Sequence, residues 1–240
     1  DWTWFFKGSI ERILNNKRII WLGAIALVGL ALTGAIQVRE NTLLLEDLAR
    51  DSKISRDFAF FGEQFQGTRP MEVAIQITDT TLDLFEPEIL AKLQQIEDTL
   101  HAVYQTGFIF SPVAMVKIGN RALSGGHSDG FQIPKSSSRL RQIVREIRML
   151  QRQGKLDAYL TQDFRSARMK ALFKDIGSKK AFELRQKTEP VLNEIIGNAP
   201  MKVTLTGTAE LIDKNNRNLA LNIGQGLLLS FAFIMRIVFF

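Results

Sequence analysis

Residues 19–38 read IIWLGAIALVGLALTGAIQV, with no charged side chain anywhere in the run. A helix of about 20 residues rises roughly 30 Å, the thickness of a bilayer's hydrocarbon core. Uncharged runs of this length are uncommon in buried helices of water-soluble proteins. The run therefore predicts a transmembrane helix over 19–38. A secretory signal would have a shorter apolar centre, about 7–15 residues, followed by small residues at a cleavage site. Gln37-Val38-Arg39 supplies no such site.

The flanks extend the same expectation. Residues 1–18, DWTWFFKGSIERILNNKR, place Trp2, Trp4, Phe5, Phe6, Ile10, Ile13 and Leu14 at roughly helical spacing among Lys7, Arg12, Lys17 and Arg18. That pattern suits an amphipathic arm lying on a membrane surface. Its positive charge predicts a cytoplasmic N-terminus, with residues 39–218 on the far side. A second hydrophobic stretch occupies 219–240, and its apolar run IGQGLLLSFAFIMRIVFF begins at Ile223 and is broken by Arg236. It predicts the start of a second transmembrane helix, truncated in a chain that continues further. Ala31, Thr33, Gly34 and Ala35 cluster small side chains suited to packing against other helices.

Residues 39–218 are long enough for one or two cores. Met71–Thr78 and Met201–Thr206 alternate apolar and polar side chains, the period of half-buried strands. Ala167–Phe173 and Phe108–Ser111 are further strand candidates. Glu86–Tyr104 carries an apolar stripe of Ile89, Leu93, Ile96, Leu100 and Val103, with Pro87 in the first turn, where its missing N–H is harmless. Ser138–Arg152 and Lys179–Ile196 are helical on the same grounds. A helical turn runs through Val113, Val116 and Ile118, and a loose helical pattern of Leu44, Leu48, Phe58, Phe61 and Phe65 ends at Gly67. Gly67-Thr68-Arg69-Pro70 suggests a turn, and Leu123–Gly130 a flexible loop. Strand–helix–strand thus occurs twice, with a helix between the halves. The order predicts an α+β sandwich with helices on one face of a sheet.

The chain contains no Cys, so disulfides, thiol nucleophiles and Cys-ligated metals are excluded. The net charge of +6 is taken as spread over solvated faces. The densest basic stretch holds Arg139, Arg141, Arg145, Arg148 and Arg152 with almost no interleaved aromatics, which argues against a nucleic-acid partner. His101 and His127 lie far apart without clustered carboxylates, a poor metal site. Gly125–Gly130 lacks the Lys-Ser/Thr ending of a phosphate-binding loop. Asp79, Asp83 and Glu86 line a turn and are expected to be solvated. No catalytic constellation is present, so no catalytic, cofactor-binding or metal-ligating residue, and no cofactor, is assigned.

The order of elements, an amphipathic arm, one span, a large α+β domain and a second span directly after a strand, carries a resemblance together with four stretches. Leu205-Thr-Gly-Thr-Ala-Glu-Leu-Ile-Asp-Lys-Asn-Asn216, followed by Gln225-Gly-Leu-Leu-Leu229, resembles the junction between the water-exposed domain and the second span of resistance–nodulation–division (RND) transporters of the MMPL-like, lipid-exporting branch. Phe65-Gln-Gly-Thr-Arg-Pro70 and the segment Val113 to Gly126 resemble the first extracytoplasmic domain of the same family. The resemblance implies a porter-like domain with ferredoxin-like β-α-β units, in a proton-driven exporter of lipids or other hydrophobic molecules in a bacterial inner membrane. It implies the bilayer, a hydrophobic or lipid substrate and the remaining transmembrane helices as partners, and leaves a homo-oligomer open. The charged Arg236 departs from the family's second span. Neither hydrophobic end contains Asp or Glu, so proton coupling would come from spans beyond Phe240. The competing expectation is a membrane-anchored extracytoplasmic sensor or binding module. A membrane-bound enzyme is a third, which the lack of catalytic residues disfavours.

Overall fold

The computed structural model describes residues 52–239, together with Ala26, Gly29 and Leu30; side chains at 216, 217, 220, 235 and 237–239 are not described. The chain divides into two units, Asp1–Glu40 and Asn41–Phe240, and all the described strands belong to the second. The expected surface arm at 1–18 and the helical positions Leu44 and Leu48 lie outside the described residues.

In chain order the elements of this second unit are α1 (Lys53–Gln64), β1 (Arg69–Ile77), α2 (Pro87–Tyr104), α3 (Pro112–Leu123), a 3-10 turn (Ser128–Gly130), α4 (Ser137–Arg152), β2 (Ser166–Phe173), α5 (Ser178–Ile196), β3 (Met201–Thr206) and α6 (Thr208–Phe239). The expected helices and strands within 71–206 mostly recur to within a residue or two, the ordinary uncertainty of an element's end. α2 begins at Pro87 because proline fixes φ and needs no N–H partner there. α3 begins at Pro112 for the same reason, with Ser111 as its N-cap, and grows from the expected turn into a helix of 12 residues.

The sheet has three strands in the order β2-β1-β3, both neighbours antiparallel to β1. β2 and β3 are therefore parallel to each other, joined by α5, with β1 inserted between them. This corrects the expected pair of β-α-β units. Only β2–α5–β3 is one, and it is split. The β1-to-β2 connection carries α2, α3 and α4 and returns antiparallel. The expected strand Phe108–Ser111 is also corrected. It reduces to a single bridge of Phe110 to Lys170 on the edge of β2, because Ser111-Pro112 turns the chain into α3.

One face of the sheet is buried. Met71, Val73, Ile75 and Ile77 of β1 share it with Ala167, Met169, Ala171 and Phe173 of β2 and Met201 and Leu205 of β3. Against it packs the α2 stripe, where Leu90, Leu93, Ile96 and Leu100 are wholly buried. Leu140, Ile143 and Ile147 of α4 complete the same core. Burying each such side chain contributes about 1.5–3 kcal/mol. The opposite face stays open, with Glu72 of β1 beside Arg168 and Lys170 of β2.

The membrane-protein fold class is overturned. Among the described residues no helix is long and apolar enough to cross a membrane. Of the expected span 19–38, only Ala26, Gly29 and Leu30 are described, each of them helical. The described part of the expected second span 219–240, residues 219–239, belongs to α6, which starts at Thr208 rather than near Ile223. Its first turns carry Glu210, Asp213 and Lys214, and Asn222, Gln225 and Arg236 interrupt the apolar positions beyond. Ala209 is buried against the domain. Leu211, Leu219, Leu221, Ile223, Leu227 and Phe233 are each more than half exposed.

Candidate functional site

β1 begins two residues earlier than its apolar alternation predicts. Arg69 and Pro70, expected in a turn, are strand residues paired with Phe173 and Leu172 of β2. Pro70 is tolerated in this central strand because β3 pairs only from Glu72 onward. Strand alternation then turns Arg69 inward with Met71 and Val73, and its side chain is 2% exposed. A guanidinium so placed requires compensating charge, since an unpaired buried ion is very costly.

Two carboxylates supply it. Arg69 Nη1 donates to Asp175 Oδ1 at 3.0 Å, just past the end of β2. Arg69 Nη2 pairs with Asp213 in the second turn of α6. Asp175 Oδ1 also accepts from the Gly177 N–H at 3.2 Å, which holds the carboxylate in place at the start of α5. A second cluster adjoins this clamp. Arg185 of α5 pairs with Glu189 at 2.7 Å and with Glu210 in the first turn of α6, and Lys214 lies 3.3 Å from Glu210. α6 is thus fastened to the end of β2 and to α5 by charge, beside a cavity of about 40 Å³ that Arg69, Arg185 and Tyr104 help to line. The Tyr104 ring meets Phe173 edge-on at 5.3 Å. Burial pushes its hydroxyl pKa up, against a hydrogen bond with Thr188.

Two glycines make the close approach feasible. Gly67, just before Thr68 donates its N–H to the Phe173 carbonyl at 3.1 Å, has φ of +138°. A Cβ there would lie 2.1 Å from the Phe173 carbonyl carbon. Gly207, with φ of +119°, links β3 to α6, and a Cβ there would press on the Glu72 side chain at 3.2 Å. Gly67 and Arg69 belong to one stretch that carries the RND resemblance, Phe65–Pro70, and Gly207, Glu210 and Asp213 to another, Leu205–Asn216. The fold brings the two stretches together across 144 residues of sequence.

A second buried charge lies between α2 and α3. Glu97 accepts a hydrogen bond from the Ser111 hydroxyl through Oε1, and its Oε2 lies 3.3 Å from Lys117 Nζ. Ser111 Oγ in turn caps α3 by accepting from the Ala114 N–H at 2.9 Å. Burial pushes the Glu97 carboxyl pKa up, opposed by the Ser111 hydrogen bond and the Lys117 charge. Ser111 is fully buried and holds two hydrogen bonds, so the trio ties two helices together and offers no accessible nucleophile. Sequence reasoning missed both clusters.

The residues singled out in the sequence are scattered. His101 Nδ1 lies 3.4 Å from Thr106 Oγ1 at the end of α2, and His127 precedes the 3-10 turn. Asp79 Oδ1 accepts from the Thr81 N–H at 2.8 Å and from its hydroxyl at 2.7 Å, which holds its pKa below the usual carboxylate value. Asp83 pairs with Arg148. Gly125 and Gly126, both at positive φ, form a turn whose Gly126 carbonyl accepts from Arg121 Nε at 2.9 Å. Among the described residues no group of three or more His, Asp or Glu could hold a metal ion. No protein-family model matches the chain, and none of the curated proteins is similar to it.

Proposed function

We propose that the chain is part of an RND-type exporter of lipids or other hydrophobic molecules, of the MMPL-like branch, and that residues 69–206 are its substrate-handling domain. One observation carries this reading. Two of the stretches that resemble the family, Phe65–Pro70 and Leu205–Asn216, meet in the buried Arg69–Asp213 contact, where the sheet is joined to α6. In an exporter this contact has a mechanical task. Displacing α6 from the sheet would leave the buried Arg69 guanidinium with Asp175 but without its second carboxylate, at a cost of up to about 3–5 kcal/mol. Movements of α6 and of the domain are therefore coupled rather than independent.

The test uses the whole gene product in bacterial cells stripped of their own efflux pumps, with a hydrophobic fluorescent dye as cargo. Cells making the wild-type protein should extrude the dye. Cells making Asp213→Asn protein at equal abundance should extrude it several-fold more slowly. Absence of extrusion by the wild type, across dyes and lipid analogues, removes the exporter reading.

A further inference from the structure

The end of α3, the glycine turn that follows it and the first turn of α4 enclose a groove of about 490 Å³. That lies within the roughly 300–1,000 Å³ of typical small-molecule sites. Its walls are fastened to one another. Asn120, near the end of α3, donates through Nδ2 to the Gly130 and Gln132 carbonyls, each at 2.9 Å. Gly130 lies so close to α3 that a Cβ there would come within 2.8 Å of the Arg121 Cα. Arg139 of α4 donates to the Asn120 carbonyl at 3.2 Å and to Ser124 Oγ, which ties α4 to the same loop.

One end of the groove suits an anion. The 16-residue α4 opens there at Ser136, no side chain caps it, and its first turn holds no acidic residue. Its uncapped N–H groups and the helix dipole favour negative charge. Lys135 is exposed and Arg139 half-buried, and neither meets a carboxylate among the described residues. Against these two cations the groove has one carboxylate, the exposed Asp129. Gly125–Gly130 lacks an adjoining Lys-Ser pair, but the fold brings Lys135 and Ser136 to the same groove. Asn120 asks for something else. It is 5% exposed and lines the groove, yet its Oδ1 has no hydrogen-bond partner. A buried acceptor left unpaired costs about 1–3 kcal/mol. Its missing partner is a donor, which the oxygens of an anion do not supply. Arg139 Nε is likewise buried without a partner and can donate to the ligand's oxygens.

We infer that this groove binds a phosphorylated polyol: the phosphate seated at the α4 N-terminus with Lys135 and Arg139, and a hydroxyl donating to Asn120 Oδ1. Asp129 offers an acceptor to a further hydroxyl. A bare anion would leave Asn120 unmatched, and a neutral polyol would leave the two cations so. The assignment does not depend on the exporter reading, because it concerns binding by the chain itself.

The 240-residue chain, kept in a nonionic detergent, is titrated by calorimetry with glycerol phosphate, glycerophosphoglycerol, propyl phosphate and sulfate. The first two carry the same chemistry from different sources, a free metabolite and a lipid head group, and the tighter of them identifies the source. One should bind per chain. Propyl phosphate has the phosphate without the hydroxyls and should bind roughly tenfold more weakly, as should sulfate. Lys135→Gln, at an exposed side chain without an ion pair, should lose about fivefold in affinity with an unchanged thermal melt. Arg139→Gln should lose roughly tenfold or more; because Arg139 also ties α4 to the loop, Lys135→Gln decides the matter if that variant does not fold. No binding of either polyol phosphate, propyl phosphate or sulfate binding as tightly as glycerol phosphate, or equal binding by wild type and Lys135→Gln would each overturn the site. Polyol phosphate binding without dye extrusion in cells retains the groove and removes only the exporter; extrusion without binding does the reverse.

Discussion

Strand β1 carries charge on both of its faces, and the two faces use it differently. Arg69 points into the core and meets two carboxylates, with almost no contact with water. Three residues on, Glu72 points outward and meets two cations, Arg168 at 3.5 Å and Lys170 at 3.8 Å, which are half and more than a third exposed. The composition is mirrored, one charge against two of opposite sign, but the energetics are not. An exposed pair gains about 0–1 kcal/mol and is screened by salt. A buried pair is strongly attracted but has lost its hydration, so it is worth most as a constraint: removing one member costs far more than the pair itself contributes. The inner cluster can thus fix where α6 sits, while the outer one mainly keeps the open face wet.

That contrast can be broken from the inside first. Asp175→Ala should destabilise the chain by about 3–5 kcal/mol, because the Arg69 charge would remain buried with half its compensation gone. Urea unfolding of the 240-residue chain in nonionic detergent measures the loss; a change below about 1 kcal/mol would place Arg69 in contact with water. Next in size, Gly67→Ala should cost roughly 1–3 kcal/mol from its positive φ, even before the overlap with Phe173 is relieved. Gly126→Ala, with open space around its Cβ, is the control for φ alone and should cost less.

The buried Glu97 sharpens the comparison through pH. Its carboxyl pKa is raised above the ordinary 4.5, chiefly by burial, so the folded state holds the proton more tightly than the unfolded chain. Its contribution is full below the unfolded value and is lost as pH rises through the folded one. Stability measured from pH 4 to 7 should therefore fall with this component in the wild type. Glu97→Gln should remove the component and change stability at pH 7 by on the order of 1 kcal/mol. An identical pH slope in both proteins would show that Glu97 is hydrated. Smallest of all, Glu72→Gln should cost less than about 1 kcal/mol, and the difference should vanish in 1 M salt.

The sequence made much of the core legible. The alternation of Met71–Thr78 and Met201–Thr206 and the stripe from Ile89 to Val103 mark the elements that the structure contains, because each side chain's environment there repeats with the element's own period. The clamp was hidden for the opposite reason. Arg69 stands next to Pro70 after Gly67, a local signature of a turn, and only hydrogen bonding to β2, about 100 residues away, makes it a strand residue. No spacing rule links Arg69 to Asp213. The start of α6 was equally obscured: Thr208 to Asn218 is too polar to show an apolar stripe, so only the hydrophobic half of the helix stood out. The second membrane-spanning expectation rested on the apolar run from Ile223, whereas the helix that contains it starts at Thr208 and carries Glu210, Asp213, Lys214, Asn222 and Gln225 as well.

The anchored base of α6 has a geometric consequence. The helix has 32 residues, and the structure holds it at Ala209, Glu210 and Asp213, close to one end. At 1.5 Å per residue it is about 48 Å long. It is a lever with its fulcrum at the sheet. A tilt of only about 5° at Asp213 would sweep the far end, about 39 Å away, through roughly 3 Å. The reverse also holds: a force applied near Phe233 reaches Arg69 multiplied, so the two ion pairs at the base must resist far larger loads than any that act directly on them.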